Sequence, residues 1–199
     1  MKALIIVDVQ NDFLPGGALA IPDGDAVIPA INKIMPHFNL IVATQDWHPP
    51  NHMSFASNHD GLKPFEKIVI NGREQVLWPD HCVQGTIGAE LADGLQGNPI
   101  EALFRKGTDP RIDSYSGFFD NDHRTRTGLS GYLREKGATE LYFCGLAADI
   151  CVYFSVRDAL SQGFRSYILE EATQPLSSDA FAQIKKMIPH AIFSASRLG

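Results

Sequence analysis

Three reactive side chains fall where regular structure should end in this 199-residue chain. Cys151 follows the turn Gly145-Leu-Ala-Ala-Asp149 and sits in what should be the first turn of a helix. Backbone N–H groups and the positive end of the helix dipole there favour thiolate, the nucleophilic form of cysteine. Asp8 ends an apolar run at residues 3–7, and Lys106 stands at the end of a strand expected over residues 100–105. A carboxylate can accept a thiol proton, and an ammonium can stabilise developing charge. The amides of Cys151 and of the turn before it could form an oxyanion hole, which serves acyl transfer. Taken singly, each residue has a plainer reading: a small packed cysteine, a turn acid, a solvated lysine.

A second set is metal-like. Asp46, His48, His52 and His81 offer one carboxylate and two or three imidazoles, which suit one divalent transition metal such as zinc, iron or manganese. Cys82 is a conceivable soft ligand, but an extended segment would turn it away from His81. His37, His59, His123 and His190 read as surface or loop residues. A metal that activated water would make the thiol redundant. A metal that instead held a heteroatom of the substrate would orient a carbonyl toward Cys151.

The elements that must position these residues follow from the pattern of apolar residues. Continuous apolar runs at residues 3–7 and 40–44 are of the kind buried on both faces of a parallel sheet. Further strands are expected at 100–105, 141–144 and 165–169, with a short edge strand at 192–193. Helical spacing predicts helices over 26–38, capped by Asp25, and over 129–136, 150–162 and 179–187. Residues 51–72 are the least periodic, a loop long enough to suggest a functional role. Strands alternating with helices predict an α/β fold, a doubly wound, mainly parallel six-stranded sheet with helices on both faces, in one domain over residues 1–199. Ligands bind beyond the carboxyl ends of strands in such folds, and Asp8, Asp46 with His48, Lys106 and Cys151 follow four different strands.

Composition is that of a globular protein, 44% hydrophobic and 20% charged. The net charge of -6 leaves no basic footprint for nucleic acid, and no apolar run is long enough for a membrane span. Three widely spaced cysteines do not suggest a disulfide framework, and no cleavage pattern follows Met1, so the cytoplasm is the expected compartment.

Six stretches, taken in order, resemble the nicotinamidases of the isochorismatase-like cysteine hydrolases. They are Ala3-Leu-Ile-Ile-Val-Asp-Val-Gln-Asn-Asp-Phe13, Thr44-Gln-Asp-Trp-His-Pro49, Trp78-Pro-Asp-His-Cys-Val-Gln-Gly85, Phe104-Arg-Lys-Gly107, Asp113-Ser-Tyr-Ser-Gly-Phe-Phe-Asp120 and Gly145-Leu-Ala-Ala-Asp-Ile-Cys-Val152. The resemblance implies hydrolysis of nicotinamide to nicotinate and ammonia in NAD salvage, through a thioester on Cys151, with pyrazinamide as a further substrate. By position, Asp8 is the implied base, Lys106 the stabilising cation, and Ala147 and Cys151 the oxyanion hole. The Leu146-Ala147 peptide matches a cis bond of the family. The implied metal ligands are Asp46, His48 and His81, with His52 a fourth in some relatives, and the metal holds the pyridine nitrogen. Phe13, Trp78 and Tyr115 match the walls of the ring pocket. The chain departs from many relatives at Ala148, where they carry Thr, and at Ile150, where they carry an aromatic or His. The implied partner is the small-molecule substrate, with a homo-oligomer left open. A superfamily hydrolase acting on another substrate, a non-catalytic metal or ligand-binding protein, and a redox thiol sensor stand as alternatives.

Overall fold

A computed structural model of the chain describes residues 1–70 and 72–198. Its main sheet has six strands in the order β5-β2-β1-β6-β7-β8, with every neighbouring pair parallel. They are β1 (Lys2–Val7), β2 (Leu40–Asp46), β5 (Ala102–Lys106), β6 (Glu140–Leu146), β7 (Arg165–Gln174) and β8 (Ile192–Phe193). The expected doubly wound α/β sheet is thus observed. Residues 3–7 are wholly buried, as a central parallel strand covered on both faces must be.

Side chains alternate between two cores. Leu4 and Ile6 pack with Val27, Ile31 and Ile34 of α1 (Val27–Ile34). Ala3, Ile5 and Val7 face the opposite way, toward α2 (Leu129–Glu135), α3 (Tyr153–Ser161) and α4 (Ser178–Met187). Helices therefore cover both faces, one against three.

Several boundaries differ from the pattern-based expectation. The first helix ends at Ile34 because Pro36 allows only a 3-10 turn over Met35–His37, and it starts without a cap from Asp25, which lies in a preceding 3-10 turn, Gly24–Ala26. Strand β2 continues through Asp46, so that carboxylate belongs to a strand end rather than to the loop beyond. The expected helix from residue 150 begins as a wide π turn over Ala148–Val152, and regular α3 starts only at Tyr153. Within the aperiodic 51–72 stretch, β3 (Lys67–Ile70) forms an antiparallel pair with β4 (Arg73–Val76), a hairpin whose short, half-exposed strands carry too little apolar alternation to announce themselves.

Expected to break at Gly145, β6 instead runs through it. Gly145 has φ +103° and pairs with Val7, and a Cβ there would stand 2.1 Å from the Val7 carbonyl oxygen. The β6–β7 register also shifts between Phe143 and Gly145. A residue without a side chain is what lets β6 bulge while staying paired to β1. Sequential strands run outward from β1 through β2 to β5, and the chain then returns to place β6 on the other side of β1. The carboxyl ends of β1 and β6 flank that reversal, the position at which such sheets form a crevice.

Gly145→Ala is expected to lower the unfolding free energy in urea by more than about 2 kcal/mol, since it forces both a positive φ and a backbone clash. An unfolding midpoint equal to wild type would show that the bulge relaxes freely.

Candidate active site

Four strand ends deliver the reactive residues to one point. Asp8 follows β1 with φ 49°, Asp46 closes β2, Lys106 closes β5, and Cys151 lies in the π turn after β6. All four are buried. The Lys106 ammonium is the hub: its Nζ lies 2.6 Å from Asp46 Oδ1, 2.9 Å from Asp8 Oδ2 and 3.5 Å from Cys151 Sγ. It also donates to the Ser114 carbonyl at 2.9 Å. Burial alone would push Lys106 down, but the two carboxylates outweigh it and raise its pKa well above the ordinary value, so it stays charged.

The acids divide. Burial pushes both up. For Asp46 the Lys106 ammonium and the His48 ring more than offset this and hold the carboxyl well below its usual range. For Asp8 burial prevails over Lys106, with the Asp46 charge adding to it, and the pKa is raised. Asp8 is therefore the better proton acceptor of the two. Its Oδ1 accepts a hydrogen bond from Thr44 Oγ1 at 2.6 Å, whereas its buried Oδ2 accepts none. The 2.9 Å approach of Lys106 to Oδ2 is thus an ion-pair contact without the alignment of a hydrogen bond.

The thiol reverses an expectation. Burial pushes Cys151 well above the ordinary thiol value, Lys106 opposes this, and the Asp8 and Asp46 charges reinforce it. The helix-terminus argument for a resting thiolate fails here because the site is desolvated and two carboxylates lie beside the thiol. A neutral thiol at rest needs a base to become a nucleophile.

Next to this cluster lie the metal-like residues. Asp46, His48 and His81 present ligating atoms within 4.8 Å of one another. His48 Nδ1 donates to the Gly107 carbonyl at 2.9 Å and His81 Nδ1 to the Pro79 carbonyl at 2.7 Å. A carbonyl can only accept, so both Nδ1 atoms carry hydrogen and both Nε2 lone pairs face the Asp46 carboxylate, at 3.5 and 3.8 Å. Lone pairs gathered around a carboxylate, with outer nitrogens pinned by backbone, are the arrangement that holds a divalent cation. The electrostatics agree. Burial lowers His48, but the Asp46 charge beside it prevails and raises its pKa, a field that favours any cation at that nitrogen. His81 is pushed down to about 4, chiefly by burial, so its nitrogen is open for coordination at neutral pH. Gly107 is confined to this place: a Cβ on it would lie 2.3 Å from the His48 ring.

His52 stands apart. Its Nε2 donates to the Ile112 carbonyl at 3.1 Å and its Nδ1 accepts from Ser54 Oγ at 2.7 Å, and it groups with His48 and Asp113 instead of with Asp46 and His81. Cys82 is buried in the apolar core and does not group with Asp46, His48 and His81, but its backbone is left-handed, φ 48°, and not extended as expected. His37, His123 and His190 are exposed, and His59 is half-buried.

A narrow pocket opens onto Cys151. Its walls are Phe13, Trp78 and Tyr115 with Leu19, Ile21, Ile150 and Leu176; Ala147, Asp46, His48, His81 and Asp113 complete it. Trp78 and Tyr115 meet edge to face with ring centroids 6.2 Å apart. The Leu146-Ala147 peptide is cis, as the resemblance implied. A far larger groove, about 910 Å³, shares Tyr115 with this pocket and is lined by charged groups such as Arg111, Arg124 and Arg157, but Cys151 does not line it. The narrow pocket, not the larger groove, is the one that Cys151 lines.

A family model described as the isochorismatase domain matches residues 2–193. The chain belongs to the isochorismatase family. A nicotinamidase of Acinetobacter baylyi is 48% identical over 181 residues, covering 91% of this chain and 85% of that protein. The solved nicotinamidase/pyrazinamidase of Acinetobacter baumanii superposes with a TM-score of 0.96 at 43% identity, over 100% of this chain and 98% of that one. A pyrazinamidase of Pyrococcus horikoshii, solved in complex with zinc, matches with a TM-score of 0.79 at 36% identity over 97% and 98% of the two chains.

Some residues of the site escaped the sequence reading. Gln10 clamps the Asp46 backbone, donating to its carbonyl and accepting from its N–H at 2.8 Å each. Asp113, held by Gln75 Nε2 and the Ser114 N–H at 2.8 Å each, adds a buried carboxylate to the pocket. Ile150, noted only as a departure from relatives, forms part of the pocket wall. Both polar residues lie inside the motifs quoted above, but nothing in their spacing distinguishes a clamp from a turn residue.

Lys106→Met keeps most of the volume and removes the charge, leaving Asp8 and Asp46 facing each other in the interior. It should cost about 3–5 kcal/mol of unfolding free energy in urea at pH 7. A loss below about 1 kcal/mol would mean that the two carboxylates do not depend on this cation.

Proposed function

We propose that this chain, as a single domain over residues 1–199, hydrolyses nicotinamide to nicotinate and ammonia, a step of NAD salvage, by way of a thioester on Cys151. The observation that carries the reading is the convergence of a buried thiol, a raised carboxylate and a charged lysine on a narrow aromatic-walled pocket that also holds the Asp46, His48 and His81 set. A redox sensor or a binding module has no use for all of these at one point. A superfamily hydrolase of another substrate class does not account for the metal-like set beside an aromatic slot.

Asp8 takes the proton from Cys151 Sγ, and the sulfur attacks the carboxamide carbon. The Ala147 and Cys151 amides receive the negative charge that develops on the carboxamide oxygen, while Lys106, beside both Asp8 and the thiol, stabilises the ion pair during the transfer. Asp8 returns the proton to the nitrogen, the C–N bond breaks, and ammonia leaves behind a thioester. Asp8 then accepts a proton from the water that attacks the thioester carbon; the C–S bond breaks, Cys151 regains a proton and nicotinate departs. Phe13, Trp78 and Tyr115 confine the ring as a flat slot. A divalent transition metal, with zinc the favoured candidate from the Pyrococcus horikoshii relative's complex, would be held by Asp46, His48 and His81 and would supply a Lewis-acid anchor for the ring nitrogen. Pyrazinamide presents a ring nitrogen at the same distance from its carboxamide and is a substrate on the same terms. The cytoplasm is the compartment that fits this reading, because a free nucleophilic thiol requires a reducing environment.

Purified protein should release ammonia and nicotinate from nicotinamide, and Cys151→Ala should show no turnover while unfolding at the wild-type temperature. Full turnover in that variant would remove Cys151 from the nucleophile's role. His48→Ala should carry less than one-tenth of the metal of wild type by elemental analysis; equal metal content would exclude His48 as a ligand.

A further inference from the structure

Asp8 has two oxygens, and in solution they are equivalent as proton acceptors. In this site they are not. Oδ1 accepts the Thr44 hydroxyl at 2.6 Å, with both residues wholly buried. Oδ2 accepts no hydrogen bond and lies 2.9 Å from the Lys106 ammonium, which in turn stands 3.5 Å from Cys151 Sγ. We propose that Thr44 is a positioning residue that reserves Oδ2 of Asp8 as the proton-accepting oxygen.

A hydroxyl has one proton, and a short bond to a carboxylate oxygen engages the lone pair that would otherwise receive a proton there, so the oxygen left open to the thiol is Oδ2. It also stops the carboxylate from turning about its Cβ–Cγ bond, a torsion that is otherwise broad. The proton from the thiol therefore arrives on the oxygen beside Lys106 and Sγ, where it is available to the departing nitrogen.

Thr44 is itself held from behind. Its Cγ2 methyl packs against Gly117 so closely that a Cβ on that glycine would stand 2.7 Å away. The Gly117 N–H donates to Ser155 Oγ at 2.8 Å, and Ser155 is buried on α3, one turn beyond Cys151. A β-branched residue so enclosed has a restricted χ1. The hydroxyl's surroundings are thus tied to α3, the helix that continues directly from the π turn carrying Cys151. Thr44 does not border the ring pocket, so its contribution should fall on the chemical step and not on substrate binding.

The test compares Thr44→Val, which keeps the branched shape without the hydroxyl, with Thr44→Ser, which keeps the hydroxyl without the methyl. For nicotinamide, Thr44→Val should lose about 10- to 100-fold in kcat with KM within about twofold of wild type, whereas Thr44→Ser should stay within about threefold in kcat. Metal content should be unchanged in both. Alkylation of Cys151 by iodoacetamide at fixed pH, followed by peptide mass, should slow in Thr44→Val by a comparable factor. If the valine variant does not accumulate folded, Thr44→Ala supplies the missing-hydroxyl arm. Wild-type kcat and alkylation rate in Thr44→Val, or equal loss in the valine and serine variants, would overturn the assignment. The kcat arm rests on nicotinamide hydrolysis, but the alkylation arm does not. Inactive wild type with an intact alkylation difference would therefore count against the substrate and not against Thr44.

Discussion

A lysine ammonium at the carboxyl edge of the sheet, with 1% of its surface exposed, is the constraint on which the site depends. A charge in that position is tolerated only with partners, and Lys106 has Asp46 from the adjacent strand end and Asp8 from the strand beyond it. Each carboxylate is equally dependent, since without the ammonium two acids would face each other in a desolvated interior. The same cation reaches toward Cys151 and receives support from the Ser114 carbonyl. Cys151, Asp8 and the metal-like set are thereby parts of one charge cluster. Asp46 belongs to both halves, one oxygen turned to Lys106 and His48 and the other to His81.

Backbone carbonyls and amides do the orienting around this cluster. Gly107 and Pro79 hold the outer nitrogens of His48 and His81, and Gln10 grips Asp46 by its main chain. Asp12 accepts from the Cys82 N–H at 2.7 Å and ties the loop carrying Phe13 to the loop carrying His81. The reactive groups thus sit at strand ends and on loops, but the loops are cross-linked to the sheet and to each other. Such rigidity is what allows a functional site to be built from irregular segments.

Much of this was legible in the chain. Residues 3–7 and 40–44 could hardly be anything but buried parallel strands, and the Ile192–Phe193 edge strand and the helix over Ser178–Met187 stand where their apolar pattern places them. Asp8, Asp46, His48, Lys106 and Cys151 could be assigned to one edge because each follows a strand and parallel strands share an end. The hairpin of Lys67–Ile70 with Arg73–Val76 was not legible, because half of its residues are exposed and Ile68, Val69 and Ile70 follow one another without polar residues between them. Nor was the passage of β6 through Gly145, since a glycine at positive φ in a paired strand looks, in sequence, like a strand end.

By itself the sequence determined which chemical groups the protein owns, which strands carry them and to which edge of the sheet they are delivered, because strand periodicity and parallel topology are properties of the chain's own pattern. Only the tertiary structure decided their state. It made Cys151 a neutral thiol where its place in the chain suggested a thiolate, raised Asp8 while holding Asp46 low, turned two imidazole lone pairs toward one carboxylate and occupied both nitrogens of His52. Desolvation, charge pairing and hydrogen-bond direction act through space, between residues as far apart in sequence as Asp8 and Lys106, and no local pattern records them.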